Sequence, residues 1–200
     1  MKVHIVGAGG HAKVVIEIAE MLGYEIADVY DQNEKVKEIL NYPVCHDFSA
    51  IPRMDNVFFF FFFNLNRKKN AEHVQSQYIN LIDPAAVVSK TIVYVTCTAV
   101  MSVVFINSSC KIGNHCIINT SASIDHDCEI GDYVHISPQA ALAGNVTVLE
   151  GAQIGIGTCV KQNITIGKFS VIGAGSVVLQ DVPDNAIVIG NPARIMKRGA

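Results

Sequence analysis

From Ile106 onward an aliphatic residue recurs at every sixth position: Ile106, Ile112, Ile118, Ile124, Ile130, Ile136, Leu142, Val148, Ile154, Val160, Ile166, Ile172 and Val178. Val100, Val88 and Ile82 carry the series backwards, with Tyr94 as its irregular member. Neither a helix nor an ordinary strand repeats at six, because their side chains recur every 3.6 and 2.0 residues. A triangular coil does: it has three short strands per turn and one inward aliphatic per strand, and it returns over itself after 18 residues at a spacing of ~4.8 Å. The period therefore predicts a hexapeptide parallel β-helix over residues 81–200. Glycine follows the inward residue at Gly113, Gly131, Gly155, Gly167 and Gly173, and these pairs read as the corners where the backbone bends.

The pattern is different before the repeat. Val3 to Val6 reads as a buried strand, Gly7 to Ala12 as a turn, Lys13 to Leu22 as a helix, and Ile26 to Tyr30 as a second strand ending at Asp31. This is a βαβ, half-Rossmann-like unit of an α/β domain spanning residues 1–80, with the boundary at Asn80 to Pro84. The glycines fit G-x-G-x-x-G/A, and Asp31 stands where an acidic ribose ligand is expected. Three readings stay open: a dinucleotide site, a bare strand-to-helix turn, or a nucleotide sugar at the helix N-terminus. A full NAD domain needs a second half, for which the chain leaves no room before the repeat. Residues 57–63 read as a buried strand leading into a short helix. The six phenylalanines 58–63 cannot all face inward on a strand, so some are expected under a helix, between domains or between subunits.

Half of the 200 residues are apolar and the net charge is −3 with a pI of about 6.1. No Lys/Arg cluster exceeds Arg67-Lys68-Lys69, which argues against a nucleic-acid partner. The longest apolar run is far short of the ~20 residues of a membrane span, and the N-terminus lacks the h-region of a signal peptide. A cytoplasmic chain is expected. The six cysteines show no CxxC pair, as for reduced and mostly buried thiols.

Of the seven histidines, His126 has the most chemical surroundings. It lies two positions past inward Ile124, on the outside near a corner, between Asp125 and Asp127. A neighbouring carboxylate fixes the tautomer and favours the imidazolium, as a general base requires; Asp127 is the preferred partner. Gly144 lies 18 residues after His126 and must stack beside it. A residue without a side chain there lets a ligand reach the backbone, and its N–H, if spared by the β ladder, can donate to the oxyanion of an attacked thioester. His135 is placed too far along the coil to touch His126 within one subunit. Cys110 and Cys128 also stack at 18 residues, which reads as packing rather than nucleophilic catalysis.

Three segments, GAGGHAKVV at Gly7 to Val15, NTSASIDHDCEIGDYVHISPQAALAGNV at Asn119 to Val146, and IGAGSVVLQDVPDNAIVIGNPA at Ile172 to Ala193, resemble the hexapeptide-repeat sugar acetyltransferases. That group includes sialic acid O-acetyltransferase and the UDP-4-amino-sugar N-acetyltransferases. The resemblance implies a left-handed helix, a homotrimer, acetyl-CoA as cosubstrate in a groove between adjacent β-helices, a small-molecule or nucleotide-sugar acceptor, and no metal. It implies His126 as base with Asp127 raising its basicity. His135, Gly144, Ile156, Gly173 and Ala174 would line the acetyl-CoA path, and Gly9, Gly10, His11, Asp31 and Gln32 would meet the acceptor. One departure stands out. Where the group carries Ala-Ile-Gly and a polar residue ahead of an arginine motif, this chain has Phe60 to Phe63, then Asn64 and Arg67, which implies an acceptor other than a UDP-sugar or an impaired pocket.

Rival readings are a γ-carbonic-anhydrase-like zinc enzyme using His115, His126 and His135, a non-catalytic β-helix scaffold or sugar-binding protein, and an NAD oxidoreductase.

Overall fold

The computed structural model describes residues 1–52, 56–59, 67–69, 71, 77–94 and 96–198. The N-terminal part is a sheet of β1 (Lys2–Val6), β2 (Glu25–Tyr30), β3 (Glu38–Ile39), β4 (Tyr42–Cys45), β5 (Asn56–Phe59) and β6 (Gln77–Tyr78), in the order β3-β4-β2-β1-β5-β6. All neighbours are parallel except β3 and β4, whose turn puts Leu40 and Asn41 at φ 46° and 66°. Helix α1 (Gly10–Met21) crosses from β1 to β2 and buries Ala12, Val15, Ile16, Ile18 and Ala19. It begins three residues before the predicted Lys13, because Gly9 is its N-cap and the glycine turn runs straight into the first helical turn. Strand β5 covers the start of the predicted 57–63 strand; residues 60–66 lie outside the described residues.

The period of six becomes a left-handed parallel β-helix. Two-residue strands recur every six residues from β7 (Leu81–Ile82) to β23 (Val177–Val178) and stack on three faces. The first face holds the strands beginning at Leu81, Ala99, Ile117, His135, Gln153 and Val171. Those beginning at Val87, Phe105, Ser123, Ala141, Cys159 and Val177 make the second face. The third holds those beginning at Val93, Lys111, Glu129, Thr147 and Thr165. Partners are 18 residues apart throughout, as Ile118 opposite Ile136 and Ile124 opposite Leu142 show. A hairpin of β24 (Ala186–Ile189) and β25 (Arg194–Arg198) closes the first face.

Every member of the aliphatic series from Ile106 to Val178 is at most 3% exposed. A second inward position, two residues earlier, was not read from the sequence. It is buried throughout and holds mostly small side chains, Cys110, Cys116, Ala122, Cys128, Ala140, Ala152, Thr158, Ser170 and Ser176, with Val104, Val134, Val146 and Ile164 as its larger members. Small side chains predominate there because the interior of the prism is narrow and close-packed.

The corner reading of the glycines is corrected. The left-handed residue of each turn falls three positions after the inward aliphatic, at His115, Asp127, Tyr133, Asn145 and Phe169 among others, with φ between 51° and 59°. The glycines one position after the aliphatic are needed for close stacking instead. A Cβ on Gly113 would meet Asp132 Oδ1 at 2.5 Å and the Gly131 backbone at 2.7 Å.

The two parts meet along the first face and its corner with the third. Helix α1 packs on β7. Arg67 is 1% exposed, and its Nη2 donates to the Tyr133 carbonyl at 2.6 Å. Lys68 Nζ pairs with Glu150 Oε1 at 2.7 Å and lies 5.7 Å from the Phe169 ring centre. Among the described residues no helix is long and apolar enough to cross a membrane.

Candidate active site

His126 stands on the corner between the second and third faces, its side chain 58% exposed. Its Nδ1 lies 2.7 Å from Asp127 Oδ2. A carboxylate only accepts, so Nδ1 carries the hydrogen and Nε2 keeps its lone pair toward solvent. The hydrogen bond to Asp127, followed by the charge of Asp125, raises the His126 pKa above its ordinary 6.5. Asp125 faces the chain rather than the ring: its Oδ1 accepts from the His126 N–H at 2.8 Å and from Asn107 Nδ2 at 2.8 Å.

Gly144 packs directly on this imidazole. A Cβ there would lie 2.6 Å from His126 Cε1 and 2.8 Å from Nε2, so the missing side chain makes room for the ring before it makes room for any ligand. Asn145 N–H donates to the His126 carbonyl and Asn163 N–H to that of Gly144. The Gly144 N–H has no partner among the described residues. The equivalent amides at Asn114 and His126 are capped by a carboxylate, from Asp132 18 residues on or from the preceding Asp125, whereas the matching positions for Gly144 hold Gln162 and Ala143. Base and unpaired donor are thus neighbours on successive rungs. Beside them a groove of about 410 Å³ runs over the second face, lined by Phe105, Asn107, Asp125, Ala143 and Cys159. The thiols of Cys110 and Cys128 are buried behind this corner and donate to the carbonyls of Asp125 and Ala143.

His135 is elsewhere. It lies on the first face, 1% exposed, with its ring 6.4 Å from that of His11 at the start of α1. Asn119 fixes its tautomer. Asn119 Oδ1 accepts from the Thr120 N–H, so its amide nitrogen is the group 3.2 Å from His135 Nε2, and that nitrogen accepts. Burial, then Arg67 and His11, depress the His135 pKa to about 3. Burial and Arg67 hold His11 at about 4. Three positions of the family-implied set, Ile156, Gly173 and Ala174, sit on the corner between the first and second faces, with Ile156 51% exposed. A Cβ on Gly173 would strike Ile189, so this glycine serves packing. One chain therefore does not bring these residues to His126; the width of the second face separates the two corners.

The N-terminal residues form a second locus. Strands β2 and β5 flank β1, which places a topological switch and a crevice at the carboxyl end of β1. Gly9 and Gly10 border it, and a Cβ on either would meet nothing within 4 Å. The N-terminus of α1 has no side-chain cap and no acidic residue in its first turn. Asp31 accepts from the Ala8 N–H through Oδ2 and from the Asn33 N–H through Oδ1, both at 2.7 Å. Its carboxylate thus holds the glycine loop in shape, a task the sequence did not show, while Gln32 is exposed beside it.

The zinc triad has no common point. His115 stacks on Tyr133 at 5.1 Å at the corner of the third and first faces, whereas His126 stands on the corner between the second and third. Among the described residues no group of His, Cys, Asp or Glu is gathered to hold a metal. Sequence reasoning missed Asn107, Asn119 and Arg67. The 18-residue spacing of Asn107 and Asp125 was a usable signal; Asn119 and His135 are 16 apart and off the ladder.

Comparison with known proteins places the chain. Residues 2–62 match the family described as PglD N-terminal domain, and residues 104–144 match bacterial transferase hexapeptide (six repeats). No curated protein matched. PerB from Caulobacter crescentus, solved with CoA and GDP-perosamine, is 38% identical over 98% of both chains with a TM-score of 0.94. The acetyltransferase domain of PglB from Neisseria gonorrhoeae FA1090, solved with acetyl coenzyme A, is 33% identical over 98% of both chains at 0.88. WeeI from Acinetobacter baumannii AYE is 26% identical over 98% of this chain and 100% of its own at 0.89. With its repeat, its N-terminal sheet and these likenesses spanning nearly the whole length, the chain belongs to the hexapeptide-repeat sugar acetyltransferases that carry a PglD-type N-terminal domain.

Proposed function

We propose that this protein transfers the acetyl group of acetyl-CoA to the amine of a nucleotide-linked amino sugar by direct attack, with His126 as general base. The observation that carries the reading is the pairing of His126 and Asp127 on an open corner, with the unpaired Gly144 N–H on the next rung. The acceptor nitrogen attacks the thioester carbonyl and gives a proton to His126 Nε2, while Asp127 stabilises the resulting imidazolium. The Gly144 N–H donates to the oxyanion. Collapse expels the CoA sulfur, which takes the proton back, so no covalent enzyme intermediate is needed. Asp125 and Asp127 make the corner anionic, which draws a cationic amino-sugar acceptor in preference to a neutral hydroxyl; its ammonium sheds one proton to solvent before the neutral amine attacks. The complex of PerB with GDP-perosamine supports a GDP-linked amino sugar as the first acceptor to try. The uncapped α1 N-terminus with Gly9, Gly10 and His11 is the proposed diphosphate end of the acceptor site, and residues 1–80 its domain.

The working form is a trimer in this reading. The second face carries an uncharged outward ladder, Val87, Phe105, Ser123, Ala141, Cys159 and Val177, with Val87 and Phe105 58% and 47% exposed. Both corners of the acetyl-CoA set flank it. A cyclic assembly lays the His126 corner of one protomer beside the Ile156 and Ala174 corner of the next and completes the groove between them.

The test is a free-thiol assay of CoA release against GDP-, UDP- and dTDP-4-amino sugars and sialic acids. His126→Ala should lower turnover roughly 10²- to 10⁴-fold and leave acetyl-CoA binding nearly unchanged. Undiminished turnover in that variant removes His126 from the chemistry.

A further inference from the structure

Asn107 lies one rung before Asp125 on the His126 corner, with an exposed side chain and no part in the steps above. Its Nδ2 donates to Asp125 Oδ1 at 2.8 Å, the same oxygen that accepts the His126 N–H. Two donors therefore converge on one carboxylate oxygen immediately before the base. The backbone amide alone leaves the carboxylate free to swing about its side-chain torsions; a second donor from the neighbouring rung fixes it. The arrangement is local. On later rungs the equivalent positions hold Ala143, Lys161 and Leu179, so no ladder of paired amides and acids runs through this column. A different rung-to-rung contact lies two positions along the corner, where Asn145 Nδ2 donates to Asn163 Oδ1 at 2.8 Å.

We propose that Asn107 is a positioning residue for the reaction: it pins the Asp125 carboxylate against the His126 backbone and so fixes the orientation and charge surroundings of the imidazole. This rests on the reading of His126 as base. Asp125 is the second cause of the raised His126 pKa after Asp127, and the Asn107 hydrogen bond is the first cause holding Asp125 below the usual carboxylate range. The groups facing His126 are few. Asp125 and Asp127 flank it in the chain, the Cys110 thiol lies behind it on the preceding rung, and Gly144 and Asn145 on the following rung are uncharged. Lys161, two rungs on, is the first cation of the Asp125 column.

The experiment titrates His126 by NMR in the full-length protein as wild type, Asn107→Ala and Asn107→Asp, alongside pH profiles of kcat/KM. Releasing Asp125 should lower the His126 pKa by about 0.3–0.5 unit in Asn107→Ala; an added carboxylate should raise it by about the same amount in Asn107→Asp, the scale of one charge moved several ångströms in water. Turnover of Asn107→Ala should fall about 3- to 10-fold. Opposite shifts in the two variants support the proposal. An unmoved His126 titration, or shifts of one sign, overturns it and leaves Asn107 a mere staple between rungs. Retained turnover in His126→Ala would defeat the base assignment alone, because the titration reads the Asn107 contact without catalysis.

Discussion

Gly144→Ala isolates the contact between the base and the rung beside it. The new Cβ would sit 2.6 Å from His126 Cε1, 2.8 Å from Nε2 and 3.2 Å from Nδ1, where ordinary contact begins at 3.4 Å. The ring must retreat by about 0.8 Å, the difference between 3.4 and 2.6 Å. Gly144 does not use the left-handed backbone region, so alanine itself adds no strain and the whole cost falls on the imidazole. Moving the ring that far stretches the 2.7 Å bond to Asp127 toward its limit and shifts Nε2 off the acceptor proton. Misplacement of a catalytic group by ~1 Å costs on the order of 10²-fold. The expected outcome is a kcat about 10² lower, a melting temperature close to wild type because the ring is exposed, and an acetyl-CoA Kd by calorimetry within about threefold. A kcat within twofold of wild type refutes the reasoning. Lost acetyl-CoA affinity with an unchanged His126 titration would assign the glycine to the thioester path instead, as the sequence alone suggested.

Asp127→Asn removes the charge and keeps a hydrogen-bond partner. The His126 pKa is raised chiefly by Asp127, so the acid limb of kcat/KM, which rises with pH as the base loses its proton, should move to lower pH in this variant. A limb that stays in place would exclude Asp127 from setting the basicity. Acid should also loosen the contact between the two parts of the chain. His11 and His115 are held at about 4 and His135 at about 3, below their unfolded 6.5, so the unfolded chain binds more protons between those values and stability falls as pH drops through that window. Each such histidine contributes at most ~1.4 kcal/mol per pH unit. Thermal melts from pH 7 to 4 should show this fall, and His135→Gln should flatten it; a curve unchanged by that substitution would refute the assignment.

The sequence by itself determined the β-helix, because a coil of three strands per turn must repeat one inward aliphatic every six residues and nothing else makes Ile106 to Val178 do so. The same one-dimensional geometry made the stacking of Gly144 on His126 legible, since partners 18 residues apart share a corner whatever surrounds them. It also carried Asn107 to Asp125, although that contact was not read. The tertiary structure decided what lies off the ladder. His135 sits under the N-terminal part against His11 because separate elements dock along the first face, and no period encodes a contact between residues 124 apart. The glycines after the inward residues serve stacking because neighbouring rungs leave no room for a Cβ, while the turns take their left-handed residue two positions later. The separation of His126 from Ile156 and Ala174 follows from the triangular cross-section: a repeat fixes which residues stack on one corner, and only the closed prism fixes how far one corner stands from the next.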